Sequence, residues 1–212
     1  MDEKCIQVTE HDEFIAEVDK LAVHRHQARR HRAISVWGFT SKHEVLLQQR
    51  SAKKIVGAGW WANTVCGNVW AGESYQACAV RRLRGELGLK VSETELISGQ
   101  KFEYKAYCNE EYGEHEVDQI FMLSLPDTIH EIMAENPDEV ANTLLVPWSE
   151  LHGIVTAAVA DRGYYTPESS VAATWNELAE NMQPLTVRVG TSELLLAPWT
   201  VMMIIADLVS IS

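Results

Sequence analysis

Positive charge is scarce in this 212-residue chain: 18 lysines and arginines stand against 30 aspartates and glutamates, a formal net charge of -12. So acidic a surface repels polyanions at long range, which excludes a general nucleic-acid binder and a protein that coats anionic membranes. Cysteine is sparse as well. Cys5, Cys66, Cys78 and Cys108 form no CxxC pair and fall short of the density of a small secreted disulfide domain, so a reducing compartment is expected. No apolar run is long enough to span a bilayer, and the start, with Asp2, Glu3 and Lys4, has no apolar leader. A cytoplasmic protein is the expectation. Internal repeats and low-complexity segments are missing too. What is present is 46% hydrophobic residues, enough to fill a sizeable core in one domain spanning 1–212.

Residues 33–39 and 45–50 are β-rich runs separated by the polar stretch Thr40-Ser41-Lys42-His43-Glu44, a hairpin signal. Residues 74–87 predict a helix: Ala77, Val80, Leu83 and Leu87 keep three- and four-residue spacing, and Gly88 suits the exit. Strand signals recur near 98–107 and 116–125, and again from Thr143 to Trp148 before a helix beginning near Ser149. This order predicts an α/β fold with a central sheet. From Val155 to Leu196 the pattern changes, with a helical stretch around 170–182, a break at Pro184 and a β-like run over 185–189.

The most informative local sequence is Asn63-Thr64-Val65-Cys66-Gly67-Asn68, followed by Glu73 and then Arg81-Arg82-Leu83-Arg84-Gly85-Glu86-Leu87-Gly88-Leu89. Counted from Gly67 it resembles the Nudix box, with Arg82 and Gly85 where two metal-binding glutamates of a hydrolase would stand. The Cys-Gly pair before the box, together with Gly113-Glu114-His115-Glu116-Val117 downstream, resembles type I isopentenyl diphosphate isomerase. That resemblance runs from about Lys20 to Ser149 and resumes at Ala197. It implies a Nudix-like mixed β-sheet flanked by helices, with 155–196 as an inserted, lid-like segment where the family carries a shorter connection.

The implied reaction moves a double bond within an isoprenyl diphosphate through a tertiary carbocation. Such chemistry needs an acid on one face, a base on the other, a dry cavity and no nucleophile able to trap the cation. Cys66 and Glu116 match the family's catalytic pair, and Tyr104 matches the residue that hydrogen-bonds the catalytic glutamate. Cys5, Cys78 and Cys108 are expected to be small buried hydrophobes. The resemblance also implies a transition-metal site of three histidines and two glutamates, of which His24, His31, Glu114 and Glu116 are present. Asn68 stands at the fifth position. An amide oxygen is a harder and weaker ligand than imidazole, so manganese or zinc is expected to bind less tightly here, or the site to shift towards magnesium or manganese. On a helix, seven residues make nearly two turns and would bring His24 and His31 to one side; alternation on a strand does the same for Glu114 and Glu116. The competing reading leaves both histidines in a solvated basic patch running from His24 to Arg32.

For the diphosphate, Glu86 matches the family's magnesium-binding glutamate, and Lys20, Arg50, Lys54 and Arg82 match its anion-contacting positions. Trp199 matches the tryptophan whose ring faces the cation, an interaction worth about 2 kcal/mol or more when desolvated. Trp61 matches a further pocket position. Asn68 and the insertion leave a second function open, a prenyl cyclase that traps the same cation with another double bond. A non-catalytic prenyl-diphosphate binding protein is the third, and a hydrolase ranks last because Arg82 and Gly85 replace its carboxylates.

Overall fold

A computed structural model describes residues 3–209. The chain opens with a hairpin, β1 (Lys4–Val8) and β2 (Phe14–Asp19), which leads into a single-turn helix, α1 (Lys20–His24). The central strand β3 (His31–Phe39) follows, then β4 (Glu44–Arg50), β5 (Trp61–Ala62) and β6 (Val65–Asn68). Helix α2 (Tyr75–Leu87) precedes the long strands β7 (Ile97–Tyr107) and β8 (Gly113–Ser124), the short α3 (Ile129–Ile132) and β9 (Val140–Pro147). The last part comprises α4 (Trp148–Arg162), α5 (Pro167–Ala172), α6 (Trp175–Asn181), the hairpin of β10 (Leu185–Val189) and β11 (Ser192–Leu196), and α7 (Pro198–Ile205).

Strand β3 organises the molecule. Along one edge it pairs in parallel with β8 from His31↔Glu116 to Phe39↔Ser124, and along the other it pairs with β6 from Ala33↔Asn68 to Val36↔Val65. Because side chains alternate along a strand, Ile34 and Val36 face one core and Trp37 and Phe39 the other. The first core is closed by α2, through Cys78, Ala79, Leu83 and Leu87. The Ser74 hydroxyl caps this helix by accepting from Ala77 N–H at 3.0 Å, and Gly88 ends it in the left-handed conformation at φ 69°. The second core lies under α4, α6, α7 and the β10–β11 hairpin.

The expected hairpin is present, although β3 and β4 share only the pair Phe39↔Val45 before they diverge and β4 continues along β9. The 155–196 segment is built into the second core. Leu178, Met182, Leu185, Leu194 and Leu196 are buried there, and each fully buried apolar side chain contributes about 1.5–3 kcal/mol. β11 joins the sheet through Leu196↔Trp61, and the Ser170 hydroxyl accepts from Lys105 N–H at 3.2 Å on β7. It is a wall of the fold rather than a flap over it. The helical stretch expected over 170–182 is two helices broken at Ala173, and α4 runs on to Arg162, well past the expected boundary.

His24 and His31 do not share a helix. α1 stops at His24, and a loop in which His26 and Ala28 take positive φ (54° and 53°) returns the chain to begin β3 at His31.

Candidate active site

Register alone collects the site. Tyr104, Glu116 and His31 lie in one row across β7, β8 and β3, and Phe102, Asp118, Ala33 and Asn68 form the next, which continues onto β6. Cys66 stands opposite Ser35 one row further on. These positions differ by even steps along each strand, so all face the second core. Cys66 and Glu116 thereby flank β3 on opposite edges.

His24, His31, Glu114 and Glu116 each present a ligand atom, and the four atoms lie within 4.8 Å of one another. His24 and His31 are 6% and 0% exposed, which rules out the solvated basic patch. Each imidazole is oriented from behind: Nδ1 lies 2.6 Å from Lys20 O in His24 and 2.7 Å from Arg29 O in His31. Each Nδ1 is thereby committed to a backbone carbonyl, and each Nε2 is the ring atom turned towards the group. His24 Nε2 is 3.2 Å from Glu114 Oε2, and His31 Nε2 is 3.4 Å from Glu116 Oε1. Burial opposes a charge on His24, but the Glu114 carboxylate outweighs it and lifts the imidazole to about 9. Burial likewise works against the Glu114 charge and is outweighed by His24, which holds that carboxyl below its ordinary range. Glu114 Oε2 is buried without a well-aligned hydrogen bond. Two imidazoles and two carboxylates converging in one buried group fit a divalent transition metal. Asn68 sits among them, its Nδ2 2.9 Å from His31 Nε2, 3.4 Å from His24 Nε2 and 3.3 Å from Glu116 Oε1.

Tyr104 donates its hydroxyl to Glu116 Oε2 at 2.5 Å. Across β3, the Cys66 thiol donates to Asn63 Oδ1 at 3.1 Å, and Asn63 is anchored by its Nδ2 on Val36 O and Val65 O, each at 3.1 Å. Burial, reinforced by the Asp118 charge, pushes the Cys66 thiol up to about 12. Ser35 Oγ lies 3.8 Å from the sulfur and donates to Asp118 Oδ2 at 2.7 Å. Cys5 and Cys78 are buried in the cores as expected, whereas Cys108 is half-buried.

The other end of the cavity is charged. Arg82 crosses from α2 by lying against Gly67, where a Cβ would come within 2.7 Å of its Cγ, and its Nε donates to Cys66 O at 3.2 Å. It pairs with Glu86 one turn along the helix and donates to Glu139 Oε2 at 3.1 Å. Lys54 also bonds Glu139 and lies 3.7 Å from Glu86 Oε1, while Gln48 Nε2 donates to Glu86 Oε2 at 2.8 Å. Arg50 donates to Val56 O at 3.1 and 2.8 Å and places its guanidinium 5.3 Å from the Trp199 ring centre. Lys20 lies at the mouth, paired with Glu3 at 2.6 Å. One cavity of about 180 Å³ takes in both ends, and Cys66, Glu116, Tyr104 and Trp199 also border it. Trp61 does not border it. Its carbonyl instead accepts from Ala197 N–H at 2.8 Å, at the start of the helix that carries Trp199. Glu73 and Arg81 of the box clasp each other at 2.6 Å, with Arg81 3.6 Å from the Trp70 ring centre.

Sequence reasoning passed over Asn63, Asp118, Gln48 and Glu139. Asp118 continues the alternation of Glu114 and Glu116, and Gln48 interrupts the apolar run Val45-Leu46-Leu47, so both carried a readable signal. Asn63 and Glu139 stand in connections with no periodicity to mark them.

Comparison with known proteins agrees with this geometry. The model of the NUDIX domain matches residues 29–168. Isopentenyl-diphosphate Delta-isomerase of Rhodobacter capsulatus is 37% identical over 150 residues, 71% of this chain and 80% of that protein. The enzyme of the same name from Serratia proteamaculans is 40% identical over 122 residues, 58% of this chain and 66% of its own. Isopentenyl-diphosphate Delta-isomerase 1, chloroplastic, of Cannabis sativa is 32% identical, covering 76% and 61%. In fold, a Deinococcus radiodurans protein superposes with a TM-score of 0.56 at 17% identity, over 73% of this chain and 90% of that one. Among the described residues no helix is long and apolar enough to cross a membrane. With the box, the Cys-Gly pair and the Glu-x-Glu strand all converging on one cavity, the chain belongs to the type I isopentenyl-diphosphate Delta-isomerase family of the Nudix superfamily.

Proposed function

We propose that this protein interconverts isopentenyl diphosphate and dimethylallyl diphosphate by protonation and deprotonation through a tertiary carbocation. The observation that carries the reading is the placement of Cys66 and Glu116 on opposite edges of β3, facing one cavity. One supplies a proton to the terminal carbon of the alkene, and the other removes a proton from the carbon on the far side of the cation; the roles exchange with direction. A thiol pushed up to about 12 is a proton reservoir at neutral pH and leaves no standing thiolate to trap the cation. Tyr104 holds Glu116 by its hydroxyl. Trp199 already carries the Arg50 guanidinium near its ring, which supports its role as the face that meets the cation.

His24, His31, Glu114 and Glu116, with Asn68 in the fifth place, would hold manganese or zinc, and Glu86 would hold magnesium beside the diphosphate. Such ions, when bound, neutralise negative charge and act as Lewis acids. Lys54 and Arg82, with Arg50 above and Lys20 at the mouth, bind the phosphate oxygens. The 155–196 segment packs in the second core together with the helix that carries Trp199. Four free cysteines suit a cytoplasmic setting.

The test is incubation with isopentenyl, dimethylallyl, geranyl and farnesyl diphosphates, with and without magnesium and manganese or zinc, followed by product identification. Interconversion of the two five-carbon isomers alone is expected. Cyclised products from the longer chains, released phosphate, or binding without turnover under every metal condition would each overturn the reading.

A further inference from the structure

We infer that Glu139 is the second carboxylate of the magnesium-diphosphate site and makes diphosphate binding conditional on the metal. The inference rests on the diphosphate reading of this end of the cavity proposed above. Its basis is the environment of Arg82. One nitrogen of that side chain, Nη2, bridges Glu86 Oε1 and Glu139 Oε2, while Nε donates to Cys66 O at 3.2 Å. A positive charge is thus held by three oxygens from three separate segments. Oxygen donors of this kind suit magnesium. Gln48, 1% exposed, adds a second observation: its Nε2 holds Glu86, and its own Oε1 is buried without a partner beside the same group.

Glu139 is also fixed in place. Its N–H donates to Asn136 O at 2.9 Å and its carbonyl accepts from Ser51 N–H at 3.0 Å, while Asn136 N–H donates to the Glu86 carbonyl at 2.8 Å. The turn that carries one carboxylate is therefore tied to the backbone of the residue that carries the other. Charge explains the consequence. Without metal, Arg82 and Lys54 are committed to Glu86 and Glu139, so a diphosphate finds its cations occupied. With a divalent cation taken up by the carboxylates, Arg82 and Lys54 are released to the phosphate oxygens.

Calorimetric titration with inorganic pyrophosphate, with and without magnesium at constant ionic strength, tests this. Glu139→Gln should bind metal-free pyrophosphate at least as tightly as the parent, because Arg82 and Lys54 each lose one of their two carboxylate partners. Its ratio of magnesium-bound to metal-free affinity should fall about 10- to 100-fold. Glu139→Asp, which keeps the charge, should retain most of the ratio. Asp138→Asn, on the neighbouring exposed carboxylate that pairs with Lys53 at the cavity's rim rather than with Arg82 or Lys54, should leave it unchanged. An unchanged ratio in Glu139→Gln, or equal loss with and without metal, would overturn the inference while the diphosphate reading stands. A parent protein whose pyrophosphate affinity does not respond to magnesium would overturn both.

Discussion

Asn68→His replaces the amide that sits among the four proposed metal ligands His24, His31, Glu114 and Glu116. The amide lies 2.9–3.4 Å from His31 Nε2, His24 Nε2 and Glu116 Oε1, so an imidazole at this position is directed into the same group. Two opposite effects are expected. The metal-free protein loses a buried hydrogen bond to His31, about 1 kcal/mol. The loaded protein gains a nitrogen donor, for which we expect a rise of about 10- to 100-fold in zinc or manganese affinity, or about 1.4–2.8 kcal/mol. The binding must also displace a proton. His24 is raised from 6.5 to about 9, so its bond to Glu114 stabilises the metal-free protein fully below 6.5 and is lost as pH rises through about 9. Metal affinity should therefore climb with pH towards 9 in parent and variant alike. Chelator competition on both proteins gives the affinities, and isomerase rate on the same preparations gives the consequence, which should be a gain. Unaltered affinity for zinc and manganese would refute the grouping of His24, His31, Glu114 and Glu116 around Asn68 as a metal centre.

Other outcomes are open to simple measurement. Cys66, pushed from 9.0 to about 12, should alkylate more slowly than an ordinary thiol between pH 7 and 8, because only the thiolate reacts; mass-spectrometric rates at ordinary values would contradict a thiol held in its protonated form. Glu86→Gln and Arg82→Gln should each weaken diphosphate binding in magnesium by calorimetry, since both remove charge-assisted contacts, and unchanged affinity would mean that the diphosphate sits elsewhere. Gly113→Ala should lower stability by about 1–3 kcal/mol, because a Cβ there collides with the Trp175 ring; chemical denaturation with no shift would show that α6 does not pack as described.

Much of the site was legible because its signals are local and periodic. Glu114 and Glu116 share a face through the two-residue period of a strand, and Leu83 and Leu87 mark the buried side of α2 that sends Arg82 and Glu86 towards the cavity. The two histidines were correctly grouped for the wrong reason. What unites them is a loop with positive φ at His26 and Ala28, residues that do not advertise such a backbone as glycine does. Trp61 illustrates the converse: it was expected at the pocket, yet it does not border the cavity, and its carbonyl accepts from Ala197 N–H at the start of α7. The role of 155–196 was hidden because burial of Leu178, Leu185 and Leu194 belongs to a core shared with Phe102, Tyr104 and Ala106 of β7, far away in sequence.

The central claim is that one proton enters and another leaves, through Cys66 and Glu116. It is tested most directly by supplying isopentenyl diphosphate with magnesium and manganese in deuterated water and following the product by NMR. The account predicts dimethylallyl diphosphate carrying solvent deuterium in the newly formed methyl group, at a rate cut about 10²- to 10⁴-fold in Cys66→Ala and in Glu116→Gln. Dimethylallyl diphosphate formed without deuterium, or formed at the parent rate by either variant, would contradict it.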